Sequence, residues 1–181
     1  MGFLTKNELD KMGFSHVGEN VLVSSKASIY SPEKIWLGDN VRIDDFCILS
    51  GRMQIGNYIH IAAYSALYGG DEGILIEDFA NISSRVCIYA LTDDYSGDTM
   101  TNPMVPDRCK NVHQGKVRIG RHVIIGTGST VMPDCDLAEG CAFGAYSFIN
   151  HSCAPWGIYV GIPCRKIKDR HRDLLKYEKE V

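Results

Sequence analysis

The chain has 181 residues, enough for one domain (1–181) with a full core and short for two. Charged residues make up 23% and the net charge is −3, without the basic excess of a nucleic-acid binder. No apolar run approaches the roughly 20 residues of a membrane span, no basic-then-apolar leader opens the chain, and seven cysteines without paired spacing fit a reducing, cytoplasmic compartment.

The first element in chain order is a short helix over 5–12. Thr5 and Glu8 make a capping box, Leu9 and Met12 supply an apolar face, and Gly13 follows. From 15 to 155 a period of six takes over. Val17, Val23 and Ile29 open it; after two extra residues in SPEKIW it runs through Leu37, Ile43, Leu49, Ile55, Ile61 and Leu67. A three-residue insertion within GGDEG shifts the phase, and Ile76, Ile82 and Ile88 follow. Beyond a long interruption come Ile119, Ile125, Val131, Leu137, Phe143 and Ile149. The slot two residues earlier is apolar or small throughout (Val41, Cys47, Ser65, Cys135, Cys141), and the residue after each aliphatic is often Gly, Ser or Asp.

Six matches neither the 3.6 of a helix nor simple alternation. It matches a short strand with two inward side chains, then a tight corner. Three such units close a triangular coil, and roughly six coils stack about 4.8 Å apart as parallel strands. Inward thiols such as Cys47, Cys135, Cys141 and Cys153 then fill the core. Stacked on parallel strands they make no CxxC-type tetrahedron, so no metal is expected. The interruption at 93–116, entered through Thr92-Asp93-Asp94-Tyr95, is long enough to be functional. The charged tail reads as a helix over 165–178, with Ile167, Leu174 and Leu175 able to dock.

The hexads over 15–168 resemble the hexapeptide-repeat acyltransferases. The block RIGRHVIIGTGSTVMPDCDLAEGCAFGAYSFI, followed by PWGIYVGIPCRKIK, is similar to the end of the galactoside and maltose acetyltransferases. IEDFANISSRVCIYALTDDYSG, with NPMVP after it, resembles the O-antigen and capsule sugar branch. The resemblance implies a left-handed parallel β-helix, a homotrimer with sites between neighbouring prisms, and acetyl-CoA as acyl donor to a sugar. It implies a coenzyme site at Gly126, Ser129, Gly144, Ala145 and Ser147, with Arg165, Lys166 and Lys168 for the phosphates. Outward residues that are not fully polar (Ile48, Ala66, Leu75, Cys87, Ile124) agree with a covered face.

Acyl transfer to a hydroxyl needs a general base and donors for the oxyanion. Relatives of the galactoside type carry their catalytic histidine early in the loop, and this loop has none there. Two candidates stand in its place: His60, outward between Ile59 and Ile61, and His113 at the loop's return. The repeat places Arg42 and Asn81 beside His60 in one outward column, as a polar wall for substrate. Asp93 and Asp94 are placed to orient a histidine or bind sugar hydroxyls, or simply to open a turn. Tyr95 is a stacking surface for a sugar ring. The reading is an acetyl-CoA-dependent sugar O-acetyltransferase of surface-polysaccharide biosynthesis. The alternatives are an N-acetyltransferase acting on a nucleotide-linked amino sugar and a non-catalytic assembly module.

Overall fold

The computed structural model describes residues 2–181. Helix α1 (Lys6–Met12) is capped by Thr5, whose side chain accepts from the Glu8 amide while Glu8 reaches back to the Thr5 N–H. The chain then winds into a left-handed parallel β-helix with three flat walls. Wall 1 stacks His16–Val17, Ile35–Leu37, the later halves of Ile48–Ile55 and Ala66–Ile76, Val117–Ile119 and Asp136–Leu137. Wall 2 stacks Leu22–Val23, Val41–Ile43, Ile59–Ile61, Asn81–Ile82, Ile124–Ile125, Ala142–Phe143 and Gly157–Val160. Wall 3 stacks Ser28–Tyr30, the earlier halves of Ile48–Ile55 and Ala66–Ile76, Cys87–Tyr89, Thr130–Val131 and Phe148–Ile149.

The period-six slots form the core. From Leu37 to Ile149 every aliphatic of the series is buried, as are the inward Cys47, Cys135, Cys141 and Cys153. Each large aliphatic contributes on the order of 1.5–3 kcal/mol by leaving water. A strand of two or three residues is worth little alone. Its stability comes from the identical slots above and below.

The corners carry a second regularity. Three residues after the aliphatic slot the backbone turns left-handed, at Asn40 (φ 56°), Phe46, Tyr58, Tyr64, Phe79, Arg85, His122, Asp134, Tyr146 and Trp156. Such residues are strained unless their surroundings fix them. Here each coil's amide is hydrogen-bonded to the corner below, Tyr58 to Asp39, Phe79 to Asn57 and His122 to Asp78. The rings also stack along the prism: Tyr58 on Phe79 at 5.0 Å, Phe79 on His122 at 5.0 Å, and Phe46 on Tyr64 at 4.9 Å.

The insertions gather at one edge, the corner leading from wall 3 to wall 1. The bulged residues 69–73 and the loop 93–116 both leave from it. The loop is more ordered than a bare excursion. His113–Gln114 pairs antiparallel with Leu91–Thr92, and Asp107–Cys109 forms a 3₁₀ turn.

The tail departs from the helix expected over 165–178. Arg165–Asp169 is a strand, antiparallel to Gly157–Val160, and the helical part is a 3₁₀ segment, Asp173–Glu180. The last coil would otherwise leave a row of free backbone groups, and a charged edge strand satisfies them while discouraging further pairing. The 3₁₀ segment lies along the corner between walls 1 and 2. There Glu178 binds His122 and Arg121, and Arg170 donates to the carbonyls of His122 and Gly140.

Candidate active site

Three groups of candidate residues occupy different edges of the prism. The first is on wall 2. Arg42, His60 and Asn81 are register partners on successive coils, with Ile124 above them. Their centre is a residue the sequence reading passed over as a turn former, Asp44. It is buried; Arg42 Nε donates to Oδ1 at 2.8 Å, and His60 Nε2 lies 2.9 Å from Oδ2. Burial raises the Asp44 pKa, but hydrogen bonds from His60 and Arg42 outweigh it, and the carboxyl sits below its usual range. The pair is a half-exposed imidazole oriented by a buried carboxylate. A corner residue of one coil sits beside the mid-strand outward residue of the next, and that spacing was the available signal.

The second group runs up the corner between walls 2 and 3. Successive coils place Ala62-Ala63, Ser83-Ser84, Gly126-Thr127 and Gly144-Ala145 there, linked by Arg85 N–H to Ala63 O, Gly128 N–H to Ser84 O and Tyr146 N–H to Thr127 O. Ser84 and Thr127 hydroxyls are 3.0 Å apart. These short residues make a track parallel to the prism axis, flanked by the longer corner side chains Phe46, Tyr64, Arg85 and Tyr146. Gly126, Gly144 and Ala145, three of the residues expected at the coenzyme, lie along it. Ser129 and Ser147 do not. Both are buried, with hydroxyls donating to the Gly144 carbonyl from inside the coil, because they occupy the inward small slot. Arg165, Lys166 and Lys168 are exposed on the terminal strand, with Lys166 paired to Asp169 at 2.6 Å. That strand lies four strand spacings above the coil of Ser84, about 19 Å at the usual inter-strand distance.

The third group is at the loop. A groove of about 970 Å³ lies between wall 3 and the loop, bordered by Tyr68, Cys87, Tyr89, Asp93, Tyr95 and Phe148. Tyr68 and Tyr89 stack at 5.1 Å, and Tyr95 stands 90% exposed at the rim. The partly apolar outward residues Ile48, Ala66 and Cys87 fall on this same wall, in one register column. Asp94 accepts from the Ser96 amide and the Thr99 hydroxyl, both at 2.8 Å, and these bonds hold its pKa down to about 2. Asp94 thus forms the turn that opens the loop, and no histidine is among its partners. The carboxylates that do meet histidines are Asp44, with His60, Glu178, with His122, and Asp134, whose Oδ2 lies 2.6 Å from His113 Nε2. No helix is long and apolar enough to cross a membrane among the described residues.

Comparison with known proteins bears on what these groups do. The family model "Bacterial transferase hexapeptide (six repeats)" matches residues 116–151. The dTDP-4-amino-4,6-dideoxy-D-glucose acyltransferase of Escherichia coli is 49% identical, across 98% of this chain and 94% of its own. The putative lipopolysaccharide biosynthesis O-acetyl transferase WbbJ of E. coli K12 is 26% identical, across 87% and 80%. Crystal structures of AntD, an N-acyltransferase from Bacillus cereus, superpose with a TM-score of 0.97 at 54% identity, covering 99% of this chain and 96% of that one. They include D94A, D94N and S84A variants holding coenzyme A with dTDP or dTDP-4-amino-4,6-dideoxyglucose. The near-complete match to the E. coli enzyme and the CoA-bound neighbours lead to one conclusion: this chain belongs to the hexapeptide-repeat transferases, as a CoA-dependent sugar acyltransferase.

Proposed function

We propose that the enzyme transfers an acyl group from acyl-CoA to the 4-amino group of a dTDP-linked 4-amino-4,6-dideoxyglucose, rather than acetylating a sugar hydroxyl. The observation that carries this reading is the 49% identity over nearly the whole chain to an acyltransferase of that sugar nucleotide. The residues agree with it. The loop begins with two carboxylates where hydroxyl-acetylating relatives place a histidine. A carboxylate with a pKa of about 2 is a weak base but a firm electrostatic partner for an amine. An amine is nucleophilic without prior removal of its proton, which lowers the demand on a general base.

In this reading the amine nitrogen attacks the thioester carbonyl. The N–C bond forms, the C–S bond breaks, the nitrogen sheds one proton and the departing thiolate takes one up. Asp94 holds the amine, with Asp93 and Tyr95 near the sugar. The pantetheine arm lies along Gly144, Ala145 and Gly126, with Arg165, Lys166 and Lys168 near the phosphates. Ser84, on the same track, stands near the thioester. This chain carries Asp and Ser at the numbers varied in AntD. Track and loop lie at different edges of the prism, which fits sites closed between protomers of a homotrimer. Acyl-CoA and a nucleotide sugar as substrates fit a cytoplasmic enzyme.

The competing reading, sugar O-acetylation, draws on the similarity to WbbJ and on the His60–Asp44 pair, whose oriented imidazole suits a hydroxyl acceptor. One assay separates the two. CoA release is followed with dTDP-4-amino-4,6-dideoxyglucose and with dTDP-glucose, for wild type, Asp94→Asn and His60→Ala. N-acyl transfer predicts a preference of roughly 10³-fold or more in kcat/KM for the amino sugar, because a hydroxyl in place of the amine is a far weaker nucleophile toward a thioester and a poorer partner for the Asp94 carboxylate. It also predicts a larger loss in Asp94→Asn than in His60→Ala. Equal use of the two sugars, or loss confined to His60→Ala, would overturn it.

A further inference from the structure

The last coil of the prism holds a second chemical cluster, apart from Asp94 and from the His60–Asp44 pair. His151, Cys153 and Cys164 each present one ligand atom, and these atoms all lie within 4.8 Å of one another. They come from three places in the chain. His151 follows the last strand of wall 3. Cys153 occupies an inward slot and bridges Leu137 on wall 1. Cys164 belongs to the turn between Gly157–Val160 and Arg165–Asp169, where its amide donates to Phe148 O at 2.8 Å.

The expectation of no metal rested on thiols stacked along parallel strands. Cys164 is not in that stack. The turn carries it back across the open end of the coil, against Cys153. Both thiols are buried, at 5% and 1% exposure, while His151 is exposed, so the cluster faces solvent on one side only.

We propose that His151, Cys153 and Cys164 bind one zinc-class divalent ion, with water in the fourth position, which fastens the terminal turn to the last coil. Two sulfurs and an imidazole suit zinc, and the absence of oxygen ligands from the trio disfavours calcium or magnesium. Binding forms two metal–sulfur bonds and one metal–nitrogen bond, and each thiol gives its proton to solvent, so affinity rises with pH. The site's role is positional: the turn it fastens leads directly into Arg165–Asp169. The inference is independent of which acceptor the enzyme uses.

The test is a cobalt titration of the full-length, untagged protein, reduced and then freed of reductant under anaerobic conditions. One equivalent of Co²⁺ should produce a sulfur-to-metal charge-transfer band, displaced by Zn²⁺, and Zn²⁺ should raise the melting temperature above that in EDTA. His151→Ala changes an exposed side chain and should leave the circular dichroism intact while weakening Co²⁺ binding by more than about 100-fold. Cys164→Ser should lose part of the charge-transfer intensity. Absence of the band in wild type, an unchanged affinity in folded His151→Ala, or a Cys153–Cys164 disulfide found by thiol counting in the anaerobic protein would each overturn the proposal.

Discussion

Two glycines of one corner should respond differently to the same added methyl group. At Gly126 a Cβ would stand 2.6 Å from the Ala145 nitrogen, 2.7 Å from the Gly144 carbonyl carbon and 2.8 Å from the Phe143 oxygen. All three are backbone of the next coil, so relief requires the two coils to part by about 0.6–0.8 Å. That movement would stretch the 2.9 Å bond from Gly126 N–H to Phe143 O beyond useful range. At Gly144 the near contact is a side-chain atom, Val160 Cγ1 at 2.8 Å, and the next atoms are 3.7 Å away. Val160 is exposed on the final strands and can turn aside. Gly126→Ala should therefore cost about 2–4 kcal/mol, and Gly144→Ala less than about 1 kcal/mol. Urea denaturation measures both, with the midpoint moving and the slope unchanged. Because Gly144→Ala keeps the fold, it also probes the proposed coenzyme track. The methyl group should raise KM for acyl-CoA several-fold at nearly constant kcat. Equal destabilisation of the two variants would refute the coil-contact reasoning, and an unchanged KM in the folded Gly144→Ala enzyme would remove Gly144 from the track.

Acid stability tests the Asp44 cluster. A carboxyl whose folded pKa is depressed contributes stability above its unfolded pKa of about 3.9, and this is lost as pH falls through the folded value. Asp44→Asn should flatten the acid limb of the urea midpoint against pH and cost about 1–2 kcal/mol at neutrality, limited by half-exposed partners; an unaltered limb would contradict the arrangement. Ile125→Ala, at a fully buried slot with a coil above and below, should cost about 2–5 kcal/mol by equilibrium unfolding. Removing residues 173–181 deletes the Glu178 contacts to His122 and Arg121. It should lower the melting temperature by a few degrees without changing the β-sheet circular dichroism, and loss of the whole β signal would show that the tail is part of the core.

How far the fold could be read in advance follows from what a repeat exposes. An inward slot recurring every six residues states both the strand length and the corner spacing, so Leu37 through Ile149 could be placed in the core without any contact being known. The corner aromatics were harder. Nothing in the hexad pattern joins Tyr58, Phe79 and His122, which a common left-handed turn puts in one stack. The tail misled because RKIKDRHRDLLKYEKE carries helix-forming residues throughout. The need of the last coil for an edge partner outweighs that preference over 165–169, and it is a tertiary demand with no local signature.

The site was legible one residue at a time but not as pairs. His60 could be placed outward from Ile59 and Ile61, whereas its carboxylate had to be sought sixteen residues back, at the preceding corner, as Asp44. Ser129 and Ser147 show the reverse error: their resemblance-based role set aside the register that already pointed them inward. In a stacked coil the inward or outward sense of a position is decided by its phase. A residue role carried over from relatives should therefore be accepted only where the phase turns that side chain toward the ligand. By that criterion Gly126, Gly144, Ala145 and Ser84 stay candidates for the proposed coenzyme track, and Ser129 and Ser147, turned inward, support that corner from beneath.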